Sequence, residues 1–217
     1  MRIALTAAAT AVTSALLAGA ASPAGAVTPL NGEQTKKPSQ VLHDASAALA
    51  AARTVHIHGI EGTGAKRLSL NLYYASGRGS AGTLTDNSGS TQFVEIGPDF
   101  YVRGSQIHTT NPSIPATTWV HIKPGNAIAS FTSLKGLASQ ALKPTGRLGT
   151  VVGRGTVGRV AAVVLTDTAD GSKLLISNVG SPVPLAITGK SGSIRFDQYN
   201  RPVVLHRPRT SITPPTK

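Results

Sequence analysis

Between Thr54 and Tyr74 apolar and polar residues alternate along Thr54–His58 and again along Arg67–Tyr73, as they do along half-buried strands. The spacing predicts two strands, Thr54–Glu61 and Lys66–Tyr74, joined across Gly62, Thr63 and Gly64. Leu68, Leu70, Leu72 and Tyr74 fall on one face of the second strand, and Arg67, Ser69, Asn71 and Tyr73 on the other. Side chains alternate across a strand, so this predicts a sheet with one dry and one wet face. Upstream, Val41, Leu42, Ala45, Ala48, Leu49 and Ala52 recur at three- and four-residue spacing behind Pro38. That is one apolar face of a helix over about Ser39–Arg53, suited to cover the sheet.

The alternation continues downstream. Strands are expected at Arg78–Asp86, Thr91–Ile96 and Phe100–Arg103, separated by Asn87-Ser88-Gly89 and Gly97-Pro98-Asp99. Regular turn signals of this kind mark an antiparallel meander. Ser105 to Thr118 reads as a loop and Trp119–Ile122 as a short strand. Asn126–Leu142 reads as one or two short helices, ended by Lys143-Pro144. Six further strands are expected at Val151–Val157, Arg159–Thr168, Ser172–Asn178, Pro184–Thr188, Ser193–Tyr199 and Val203–His206, with Asp170-Gly171 a strong hairpin signal. The two meanders flank a helical insert and are expected to form two halves of one curved sheet.

The chain ends add an address. Met1–Ala26 has Arg2, an apolar run and Ala24-Gly25-Ala26, and reads as a secretory signal cleaved after Ala26. Val27–Lys37 reads as a flexible tether, residues 38–207 as a single domain and Pro208–Lys217 as a disordered tail. There is no cysteine, so disulfides, thiolate sites and a lipidated cysteine are excluded. Lys and Arg number 21 against 9 Asp and Glu, a formal charge of +12. A basic exported protein is drawn to anionic membrane surfaces and wall polymers. Nucleic acid is not an expected partner: the basic residues are scattered, and only four Phe and one Trp are present to stack bases. A monomer is expected.

Candidate chemistry is sparse. His56 and His58 share a strand face, but no third ligand is near in sequence, so no metal is expected. Gly153-Arg154-Gly155-Thr156-Val157-Gly158 has the letters of a dinucleotide pattern without the strand-to-helix setting, so no cofactor is expected. Gly79-Ser80-Ala81-Gly82 lacks the spacing of a nucleophile elbow, and no carboxylates are paired for acid–base work. No catalytic residue is assigned, and the chain is expected not to be an enzyme.

The layout carries a resemblance. An Ala-rich helix runs into Thr54-Val55-His56-Ile57-His58-Gly59, followed by the Leu68/Leu70/Leu72 strand and a Gly-rich strand. Then come Val94-Glu95-Ile96-Gly97, Phe100-Tyr101-Val102-Arg103-Gly104, Trp119-Val120 and Pro182-Val183-Pro184-Leu185. Gly192 to Tyr199 and Pro202-Val203 complete the pattern. Over residues 39–206 this resembles the exported lipoprotein-carrier superfamily of LolA, LolB and the mycobacterial LppX/LprG group, most of all the actinobacterial LppX/LprG type. The resemblance implies an α+β half-barrel: a strongly curved antiparallel sheet, with the N-terminal helix and the helical insert covering its concave face. It also implies a hydrophobic cavity for the acyl chains of lipids or acylated ligands. The mycobacterial members begin with a lipobox cysteine that this chain lacks, which implies a soluble exported version.

Leu68, Leu70, Leu72, Tyr74, Phe100, Val102, Phe131, Leu134 and Leu137 are the candidate cavity residues. Arg103, Lys123, Lys135 and Lys143 are the candidates for an anionic headgroup. An apolar face looks the same whether it packs on protein or on a lipid tail. The alternative reading is therefore an envelope interaction or sensor module with a closed core, binding a protein or anionic wall polymer on its basic surface.

Overall fold

A computed structural model describes residues 29–122 and 134–213. The expected signal segment Met1–Ala26, the first part of the helical insert and the last residues of the tail lie outside them.

Eleven strands form one antiparallel sheet in the order β6-β5-β4-β3-β2-β1-β11-β10-β9-β8-β7. The chain enters at the centre with β1 (Thr54–Glu61). It works outward through β2 (Leu68–Ala75), β3 (Gly79–Asp86), β4 (Gly89–Ile96), β5 (Asp99–Gly104) and β6 (Val120–Ile122). After the insert it resumes at the far edge with β7 (Gly153–Val157). It returns through β8 (Val160–Thr166), β9 (Lys173–Ser177) and β10 (Pro184–Gly189) to β11 (Gly192–Asp197), which pairs with β1. The two meanders are the halves of one curved, unclosed sheet, and the fold class is α+β as expected.

The helices lie on the concave face. α1 (Pro38–Ala51) starts on a proline, and the Gln40 side chain accepts the Lys37 N–H at 3.1 Å. Its fully buried residues, Val41, Ala45 and Leu49, are spaced four apart, so one stripe faces the sheet. Val41 and Ala45 pack on Val163, Leu165 and Ile176 of the second meander. Leu49 joins Val55, Ile57, Leu70, Tyr74 and Phe196 around the β2–β1–β11 centre, together with Leu134, Ala138 and Leu142. Leu134 and Ala138 belong to α3 (Leu134–Ala141), which packs across α1. A smaller cluster of Phe100, Val102, Ile114 and Val120 closes the β5–β6 end. Among the described residues no helix is long and apolar enough to cross a membrane.

Four segments depart from expectation. Ser105–Thr110, read as loop, forms a short helix, α2. Val203–His206, read as a twelfth strand, is not one. β11 is already paired on both sides, by β1 and β10, so the chain leaving it has no free neighbour to join. Residues of the expected tether are docked: Leu30 bridges Val179, and the Asn31 amide donates to the carbonyls of Ser177 and Gly180. Lys36 there binds both Glu33 and Asp44 at 2.6 Å, fastening the segment to α1. In the expected tail, Ile212 donates to the Trp119 carbonyl and accepts from His121 N–H. It thereby covers part of the open β6 edge, where unpaired backbone groups otherwise invite another chain.

Candidate functional site

The inward positions of the strands and the undersides of the helices border an open-sided cavity of about 960 Å³. Binding pockets for small ligands run from roughly 300 to 1,000 Å³, so this one is large. β2 lines it with Leu68, Leu70, Leu72 and Tyr74 at alternate positions. Ile57 of β1 and Phe196 of β11 continue it on one side. Leu84, Phe93, Phe100 and Val102 continue it on the other, and Phe93 and Phe100 stack with ring centres 5.9 Å apart. Leu42 of α1 and Leu142, just after α3, lie on the helical side. Gly82 sits opposite Leu72 in register, and a Cβ there would lie 2.6 Å from Leu72 Cδ2, so the missing side chain gives Leu72 its space.

Polar groups collect where the segment after α3 meets the β8–β9 turn. Lys143, Thr145, Asp167, Asp170, Ser172 and Lys173 all line this rim. The Asp167 carboxylate accepts N–H groups from Thr145 (2.6 Å), Ala169 (2.8 Å) and Gly146 (3.1 Å), as well as the Thr145 hydroxyl (3.0 Å). The backbone bonds from Ala169 and Gly146 lead in holding its carboxyl below the usual carboxylate range. Its charge is spent on backbone amides, and the bonds clamp the rim segment to the sheet. Asp170 is likewise held low, by Ser172. Lys143 and Lys173 are exposed and have no ion pair among the described residues. Deeper in, burial and then the charge of Glu95 push the Tyr74 phenol up to about 12, so it stays neutral.

Six of the expected cavity residues, Leu68, Leu70, Leu72, Tyr74, Phe100 and Val102, line the space. Leu134 instead packs into the closed core against α1 and the sheet. Leu137 and Lys135 fall on α3, with side chains outside the description, and Phe131 and Lys123 lie outside the described residues. Of the headgroup candidates, Lys143 is on the rim. Arg103 is on the other face: it follows inward Val102, and its guanidinium covers the Trp119 ring at 4.7 Å while Nε donates to Gln92. Ile57, Phe93, Ile194 and Phe196 line the cavity without having been singled out, although alternation marks them. Lys173 and Asp167 carry no such mark. On the convex face the two histidines of β1 meet Asp197 of β11, the one group of three potential metal ligands found among the described residues.

No protein-family model matches this sequence, and no curated protein does. Solved structures match in shape. LprF from Mycobacterium bovis superposes with a TM-score of 0.55 at 16% identity, over 83% of this chain and 99% of that one. The lipoprotein LppX from Mycobacterium tuberculosis gives 0.48 at 13% identity, over 78% and 98%. A LolA superfamily protein from Nitrosomonas europaea gives 0.31 at 10%, over 78% and 95%. At 16% identity the likeness to LprF bears on the fold alone, which this chain shares with LprF.

Proposed function

We propose that this chain is a non-enzymatic exported protein that binds lipids or other long apolar ligands in the cavity between sheet and helices, and carries them through water. The observation that carries this reading is the cavity itself: about 960 Å³, lined by leucine, isoleucine and phenylalanine from both meanders, and left unfilled by α1 and α3. Removing an acyl chain from water there contributes about 0.8 kcal/mol per methylene, which is ample for a tail of ordinary length. Lys143 and Lys173 on the rim suit an anionic headgroup, and the neighbouring Asp167 is already saturated by N–H donors. An adaptor with a closed core fits less well, because the described residues leave this space between sheet and helices.

The test is native mass spectrometry of the protein purified without detergent, followed by solvent extraction. The expected result is co-purifying lipid and saturable uptake of a fluorescent fatty acid. Repeated recovery of empty protein that also takes up no fatty acid overturns the carrier reading and favours the adaptor.

A further inference from the structure

We propose that His56, His58 and Asp197 form a binding site for a divalent transition-metal ion of zinc's class on the convex face of the sheet. This site lies across the sheet from the cavity and does not depend on the lipid reading.

The sheet register builds the group. His56 and Asp197 are direct cross-strand partners in β1 and β11, and His58 follows two positions on, so all three side chains leave the same face. His56 Nδ1 lies 2.7 Å from Asp197 Oδ1, and His58 Nε2 lies 3.3 Å from Asp197 Oδ2. One ligand atom from each residue falls within 4.8 Å of the others. A tetrahedral zinc site with bonds of about 2.0–2.2 Å holds neighbouring ligand atoms about 3.3–3.6 Å apart, so shifts of about an ångström bring the three to an ion. Two imidazoles and a carboxylate are a donor set for zinc or copper, not for calcium or magnesium.

The surroundings hold the rings ready. His56 and His58 stack with centroids 4.8 Å apart, and His56 also stacks with Tyr73 at 4.3 Å. The Asn71 Oδ1 accepts from His56 Nε2 at 2.7 Å. That contact engages the outer ring nitrogen, and Nδ1 faces the Asp197 carboxylate at 2.7 Å. An outer hydrogen bond that fixes the tautomer of a ligating histidine is a recurrent feature of metal sites. His56 is nearly buried, whereas His58 and Asp197 are 38% and 49% exposed at their side chains, so an ion can enter from solvent. Arg195 stands opposite His58 in register and is exposed, so solvent screens its charge. Three protein ligands leave a fourth position for water or an outside donor.

The experiment is calorimetric titration of the full chain with zinc chloride in chelator-free buffer. The variants are His58→Gln, Asp197→Asn and, as a control, the double change His43→Gln with His206→Gln. His58 and Asp197 are exposed enough for their variants to fold, which thermal melts check. One ion per chain is expected for the unaltered protein and for the control. Affinity falls by about tenfold or more in each site variant, as loss of a first ligand should cost at least what loss of an outer partner does. No saturable one-to-one binding, or a loss under tenfold in either folded site variant, overturns the proposal.

Discussion

Replacing Leu72 by Asn tests whether the cavity receives an apolar tail. Leu72 sits mid-strand in β2, between Ile57 and Gly82 in register, and projects into the cavity without being part of the fully buried core. In the ligand-free protein the new amide is wetted through the open mouth, so folding is expected to change little. With a tail in place the amide is stripped of water and unpaired, which costs about 1–3 kcal/mol. The lost leucine contact with the tail costs about 1.5–3 kcal/mol more. Even the low ends together reach about 2.5 kcal/mol, or roughly 70-fold in Kd. Displacement of a fluorescent fatty acid measures this, run over acyl chains of increasing length. Affinity for the unaltered protein should rise about fourfold per methylene, from about 0.8 kcal/mol each. Thr83→Asn, on the outer face one position from Gly82, is the control and should leave binding within about twofold. A Leu72→Asn protein that melts normally and binds within tenfold of the original refutes the reasoning. So does a chain-length series with no slope.

Two further perturbations act on the frame. Gly59→Ala should destabilise the protein by at least about 2 kcal/mol in denaturant titration, because φ is +153° there and a Cβ would lie 2.1 Å from the Ser193 carbonyl oxygen across the β1–β11 pair. Asp167→Asn should flatten the acid limb of the stability curve. The folded carboxyl is held below its unfolded value of about 3.9, so its contribution is present above that pH and fades as pH falls through the lower folded value. Thermal melts across acid pH check it, and an acid limb as steep in the variant as in the parent would show that the rim clamp plays no part.

Local pattern made the centre of this fold legible. β1 spans the residues its alternation marks, and Val41, Ala45 and Leu49 face the sheet as their spacing predicts. What the pattern could not reach depends on long-range pairing. Asp197 is 141 positions from His56, so no window containing the histidines contains their partner. Lys173 and Asp167 reach the rim because β8 and β9 end beside the segment after α3, a matter of tertiary arrangement. Leu134 has the same character as Leu72, yet one seals the core and the other borders open space, a difference that hydrophobicity cannot express. Arg103 was legible and was misplaced: with Val102 inward, alternation sends its neighbour outward.

One register governs both faces of the seam between β1 and β11. Ile57 and Phe196 are partners and point into the cavity, while His56 and Asp197 are partners and point away from it. A slip of one residue would put Phe196 opposite His56 on the outer face and send Asp197 inward, losing the lining and the histidine cluster together. The burial of Phe196 and Ile57 therefore fixes where Asp197 stands, although neither touches the outer face. The same seam joins the two meanders, and its partners are far apart along the chain. Pairings of such long range carry the largest loop-closure cost and are favoured only once each half is formed. An ion bridging His56 and His58 to Asp197 would tie β1 to β11 across that pairing. Its stabilising effect would follow ion concentration, at about 2.7 kcal/mol for one hundred times Kd. Metal addition should then raise the melting temperature of the parent and leave that of His58→Gln unmoved, which links the outer face to the integrity of the cavity behind it.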